Sequence, residues 1–234
     1  MGFMNRAYRL HVDACNEVLS LILSGSVSTR TDAVNSLSQA YAKRGIGPIR
    51  GWSSKNLYDK EMAMVYVVGK YGLGLELAEH PQLEKILSAE VGYEEIYRRV
   101  MSGVKPSEAI QAITGSLEKN TIFRVLRLVL TAVVLGFEEE ENLVKLYWSL
   151  AEEFKQYKRG FFTFMRFYVA LRVAEKIALR EVKNRNEKEA LKLAICMKVG
   201  AKNMAPPDEL IALISREVFG APKKLVQRVV GEAK

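Results

Sequence analysis

Arg172, Lys176, Arg180 and Lys183 recur every three or four residues within a stretch of helical periodicity, and Arg185 and Lys188 follow. At about 100° per residue, the first four fall on one narrow face of a helix starting near Phe161. Such a row can follow phosphates, whose contacts position a protein without reading base identity. The competing reading is a solvated face whose cations pair with Glu175, Glu181 and Glu187. A second cationic patch occupies residues 43–60, where Lys43, Arg44, Arg50, Lys55 and Lys60 are interleaved with Trp52 and Tyr58. Aromatics beside Arg can stack on unpaired bases, although Trp52 can equally fill the protein's own core. The candidate nucleic-acid-binding residues are therefore Arg44, Arg50, Trp52 and Lys55 on the connection, and Arg172, Lys176, Arg180, Lys183 and Arg185 beyond it.

Other chemistries find less support. His11 and Cys15 stand four apart on one helical turn, but two ligands are not a metal site, and His80 and Cys196 have no local partner ligand. A core cysteine beside a partly exposed histidine explains the pair. The Gly45-x-Gly47 and Gly72-x-Gly74 spacings follow no strand and complete neither a phosphate loop nor a dinucleotide fingerprint. Asp59, Glu61 and the run at residues 138–141 are the dense carboxylates, yet no histidine lies in a Ser/Asp context to make an acid–base or nucleophilic pair. We expect no catalytic residue, no cofactor and no metal. The aromatic run FFTFMRFY at residues 161–168 reads as helix packing, since RNA-stacking aromatics of the ribonucleoprotein kind act from a sheet face.

The elements that would carry these residues read as helices almost throughout. Leu10, Ala14, Val18, Leu21 and Ile22 stripe a first helix ending near Ser24 and Gly25. Thr31 is a candidate cap for a second, which Gly45 would stop. Asn56 would cap residues 57–70, ended by a left-handed Gly72. Pro81 suits the first turn of a short helix; residues 93–101 and 107–113 read as two more, closed by Gly103 and Gly115. Residues 118–135 are apolar on most sides, the mark of a central buried helix, and Gly136 ends them. Residues 138–157 and 161–182 read as two long helices with a turn or kink near Arg159 and Gly160, and residues 186–199, 207–219 and 222–230 complete the set. No stretch alternates convincingly as a strand. The expected fold is all-α, a compact multi-helix domain spanning residues 1–234, with eight to eleven helices.

Composition agrees with a soluble globular chain: 49% of residues are apolar and 26% charged. Two distant cysteines exclude a disulfide scaffold and fit a reducing cytosol. Arg6, Arg9, Asp13 and Glu17 interrupt the N-terminal apolar pattern, so no signal peptide is expected. The longest apolar stretch, residues 128–137, is about half the ~20 residues a membrane span needs. Net charge is +8, and residues 156–234 alone carry 17 Lys and Arg against 8 Asp and Glu. That bias suggests an anionic partner, although a basic chain can also simply stay soluble.

RGIGPIRG at residues 44–51 with NLYDKEMAMVYVVGKYGLGL at 56–75, NTIFRVLRLVLTAVVLGF at 120–137, and NRNEKEALKLAICMKVGAKNMAPPDE at 184–209 together resemble an archaeal family known as a domain of unknown function. The likeness covers roughly residues 35–230. It implies an archaeal, cytosolic protein of thermophilic origin and brings no activity or functional residue with it. The expectation is a non-catalytic RNA-binding or ribosome-associated accessory protein. The alternative is a helical protein–protein adaptor with no nucleic-acid role; neither reading involves a membrane.

Overall fold

A computed structural model describes residues 6–49 and 57–181. The fold is all-α, with eight α-helices and no strand among the described residues. The chain divides into two compact units, residues 1–153 and 154–234.

In the first unit, α1 (Arg9–Leu23) buries Val12, Cys15, Val18, Leu19 and Ile22, a three-and-four spacing that makes one apolar stripe. α2 (Arg30–Lys43) packs against it. Its cap is Thr29 rather than Thr31. Thr29 has extended backbone angles, its hydroxyl oxygen accepts from the Asp32 N–H at 3.1 Å, and the hydroxyl donates to the Asp32 carboxylate at 2.6 Å. Thr31 already lies in the helix, where the backbone angles of a cap are closed to it. α2 ends as expected at Gly45 (φ +64°), where the Ile46 N–H donates to the Tyr41 carbonyl at 3.1 Å.

α3 (Leu57–Val67) runs into a π-helical turn over Val68–Gly72. Gly72 lies inside that turn, and the left-handed residue is Gly74 (φ +67°) two positions later. The wide turn brings the backbone against neighbours: a side-chain carbon at Gly69 would stand 3.1 Å from Leu19 Cδ2, and one at Gly72 3.3 Å from Phe137.

α4 (Pro81–Met101) is one helix of 21 residues, not two short ones. Gly92 lies where the sequence separates the two, yet it stays helical. Ile113 of α5 (Pro106–Thr114) packs against it, 3.4 Å from where a side-chain carbon would stand, so the glycine serves close helix packing rather than a break. α6 (Lys119–Leu135) buries twelve of its residues and packs against α3, α4 and α7 (Glu140–Glu153), the central position its all-round apolarity predicts. Gly136 (φ +87°) closes it.

The expected helix over residues 138–157 ends at Glu153. The Glu153 carboxylate accepts the Ser107 N–H at 3.0 Å and the Ser107 hydroxyl, satisfying the first turn of α5. Phe154 then leaves helical geometry (φ −104°, ψ 48°) and is itself buried.

In the second unit, a 3₁₀ turn over Lys155–Tyr157 leads directly into α8 (Lys158–Ala178). The break therefore precedes Arg159 and Gly160, both of which are helical. Phe161, Phe164, Met165, Tyr168, Leu171 and Glu175 are buried positions of α8, so Phe161, Phe164 and Tyr168 of the aromatic run serve packing. The helices expected beyond residue 186 lie outside the described residues.

Candidate functional site

The cations singled out from the sequence are placed unequally. Arg44 caps α2 and is committed internally: its Nη1 donates to Glu17 Oε2 and the Ala40 carbonyl at 2.8 and 2.9 Å, and its Nη2 to the Asp13 carbonyl at 3.4 Å. Lys43 joins it on Glu17 at 2.8 Å, so this pair fastens α2 to α1. The hydrogen bonds from Lys43 and Arg44 hold the Glu17 carboxyl below the usual range. Arg172 donates to Glu175 at 2.8 Å, and its guanidinium lies 6.0 Å from the Tyr168 ring centre. Lys176 lies on α8 one turn on. Arg180 is exposed, but it stands past the helix end with φ +58°.

A single helical face running from Arg172 through Arg180 to Lys183 requires an unbroken helix, and α8 stops at Ala178. Arg180 itself has left-handed backbone and does not continue the helix. Arg50, Trp52, Lys55, Lys183 and Arg185 lie outside the described residues.

The densest polar chemistry in the first unit is one the sequence did not announce. Glu94 of α4 is buried and accepts four donors: the Tyr66 hydroxyl and Lys70 Nζ (2.9 Å) on Oε2, and the Tyr71 hydroxyl (2.8 Å) and Arg98 Nε (2.8 Å) on Oε1. Three of the four come from the junction of α3 with its π turn. Residues 66 and 70 share a face at ordinary helical pitch, whereas residue 71 would be rotated about 100° away. The π turn, closed by hydrogen bonds five residues apart rather than four, rotates the chain less per residue and reduces that offset, which helps Tyr71 reach the same carboxylate as Tyr66 and Lys70.

Burial alone would raise the Glu94 carboxyl, but the bonds from Tyr66, Lys70, Tyr71 and Arg98 outweigh it and hold it below the usual range. Burial, reinforced by Glu94, pushes the Tyr66 and Tyr71 hydroxyls far up. An ionised carboxylate with every lone pair engaged is a poor proton acceptor, so this cluster is equipped to hold α3 to α4 rather than to act as a base. Beside it lies a recess of about 10 Å³, room for one water, lined in part by Tyr71, Glu94, Tyr97 and Glu138.

A second cluster joins α1, α2 and α3. Tyr41 donates to Glu61 Oε2 at 2.5 Å, in a site shared with the fully buried Cys15. Burial, then the Glu61 charge, keeps the Cys15 thiol well above its usual range, which makes it protonated and inert. His11 sits with its ring edge-on to Tyr8 and Tyr41 and its Nε2 3.0 Å from the Gly47 carbonyl. A carbonyl only accepts, so Nε2 carries the proton. Burial lowers the His11 pKa despite that bond. Among the described residues no group of three His, Cys, Asp or Glu is placed to hold a metal, and no helix is long and apolar enough to cross a membrane.

The Glu94 cluster leaves partial traces in the sequence. Tyr66 with Lys70 and Glu94 with Arg98 are each four apart, a visible helical pairing. Their meeting on one carboxylate depends on α3 and α4 packing together, which no local spacing encodes.

A family model described as an uncharacterized protein conserved in archaea (DUF2192) matches residues 5–230. No curated protein and no solved structure matches the chain.

Proposed function

The chain belongs to this uncharacterized archaeal family, and from that premise, which carries no activity with it, we propose a non-catalytic RNA-binding or ribosome-associated accessory protein of the archaeal cytosol. The basic second unit is its docking surface. The observation that carries the reading is the coincidence of charge with architecture. Residues 1–153 hold 17 Lys and Arg against 19 Asp and Glu, a net −2, while residues 154–234 hold 18 against 8, a net +10. Concentrating like charge on one compact unit opposes its own folding through self-repulsion, and a polyanionic partner relieves that repulsion.

Two of the candidate cations already have carboxylate partners within the chain. Arg44 is engaged by Glu17 and Arg172 by Glu175, so neither is the best donor to a phosphate. The second unit as a whole, rather than one face of α8, then supplies the cations.

Co-sedimentation with archaeal ribosomes, with and without nuclease, tests the reading. We expect the protein in the ribosomal fraction, released by nuclease or by salt, and Lys176, Lys183 and Arg185 reversed together to Glu should abolish retention. Retention indifferent to salt and to the triple reversal would instead indicate an apolar protein–protein groove.

A further inference from the structure

We infer that the partner of the basic unit is double-stranded RNA, gripped through its phosphates and helical shape, and not a single strand read through its bases. The inference rests on the proposed RNA binding and adds the class of RNA.

Unpaired bases are held by aromatic platforms, each stacked base contributing about 1–3 kcal/mol, alongside a cationic groove for the backbone. The second unit has the cations without the platforms. Residues 169–234 contain 14 Lys and Arg and a single aromatic, Phe219. The other seven aromatics of the unit crowd into residues 154–168. Their faces are largely taken. Phe154, Phe161, Phe164 and Tyr168 are buried. Tyr157 stacks on Phe154 with ring centres 6.3 Å apart and planes 25° from parallel. The Tyr168 ring carries the Arg172 guanidinium.

A unit rich in cations and poor in aromatics gains most from the polymer with the densest phosphates. A duplex presents two charged strands along one axis, and its affinity for a protein making Z phosphate contacts scales with salt as about −0.9Z, against about −0.7Z for a single strand. For about five contacts the slopes differ by about one. At about 0.1 M salt, referred to 1 M, that corresponds to about tenfold tighter binding to the duplex. An RNA duplex also hides its bases in a deep, narrow major groove, so recognition falls to phosphates and 2′-hydroxyls and base preference is lost.

The counterweight is the connection at residues 43–60, where Trp52 and Tyr58 stand among cations and could serve a single strand. The experiment addresses it directly. Fluorescence anisotropy of the full chain is measured against a labelled RNA duplex of about 20 base pairs, longer than one turn, and against oligouridine and oligoadenosine of equal length, at about 0.1 M salt. We expect the duplex to bind about tenfold more tightly than either single strand, and the two single strands to bind alike. A single strand that binds as tightly as the duplex, or about tenfold discrimination between oligouridine and oligoadenosine, overturns the duplex inference and leaves RNA binding standing. Loss of single-strand binding in Trp52→Ala would then identify the missing platform. No binding to any of the three overturns RNA binding itself, and this inference with it.

Discussion

Glu94 and Glu95 offer a matched pair for weighing the buried cluster. They are neighbours on α4, and each accepts from an arginine four residues on, Arg98 Nε or Arg99 Nε, at 2.8 Å. They differ in surroundings. The Glu94 side chain is 4% exposed and holds three further donors, whereas Glu95 and Arg99 are 46% and 44% exposed. Replacing Glu94 by Gln conserves volume but leaves one oxygen where there were two. The amide is best accommodated with its NH₂ toward Arg98, the most exposed donor, which can turn to water, and with the Tyr71 hydroxyl rotated to accept. The bonds from Tyr66 and Lys70 then lose an ionised acceptor, at about 1 kcal/mol each, and the displaced donor adds about 1 more. Glu94→Gln should therefore destabilise the first unit by about 2–4 kcal/mol, and Glu95→Gln by less than about 0.5 kcal/mol after solvent screening. Hydrogen exchange reads both locally: amides of α3 and α4 should exchange about 30- to 900-fold faster in Glu94→Gln and nearly unchanged in Glu95→Gln. The gap should close in acid. A depressed carboxyl contributes stability above its unfolded value near 4.5 and loses it as pH falls through the folded value, where protonated Glu resembles Gln. Equal effects of the two substitutions would refute the reasoning.

Leu130 of α6 is fully buried, so Leu130→Ala should lower stability by about 2–5 kcal/mol in a denaturant titration; an unchanged midpoint would remove α6 from the centre of the core. Thr29→Ala should lower stability by about 1 kcal/mol in a thermal melt, and an unchanged midpoint would remove Thr29 as the cap of α2. His11 has a lowered pKa, so the unfolded chain takes up its proton first and stability should fall as pH drops below about 6.5; His11→Gln should flatten that dependence in melts across about pH 5 to 7.5.

The all-helical class and the central position of α6 follow from apolar periodicity, because a helix apolar on every side is satisfied only by burial. The glycine stops at Gly45, Gly115 and Gly136 follow from the left-handed backbone each adopts. Local signals failed where packing overrode them. Gly92 stands between two apparent helices, yet α4 runs through it with Ile113 packed against its bare face. Phe154 reads as part of a long helix, yet it departs from helical geometry and is buried. For the cationic row, spacing left open whether its cations pair within their own helix, and Arg172 is held by Glu175. Glu94 was out of reach for a different reason: its donors at residues 66–71 are brought to it by a π turn and a tertiary contact, neither of which has a local signature.

The central claim is that phosphate contact by the second unit draws this protein to RNA. The most direct measurement is the dependence of the full chain's RNA affinity on salt. With about five phosphate contacts on a duplex, log Kobs against log salt should fall with a slope of about −4.5, or about 500-fold between about 50 and 200 mM. Reversing Lys176, Lys183 and Arg185 together should flatten that slope by about three of those contacts. A slope near zero, or one that the reversal leaves untouched, would contradict the account.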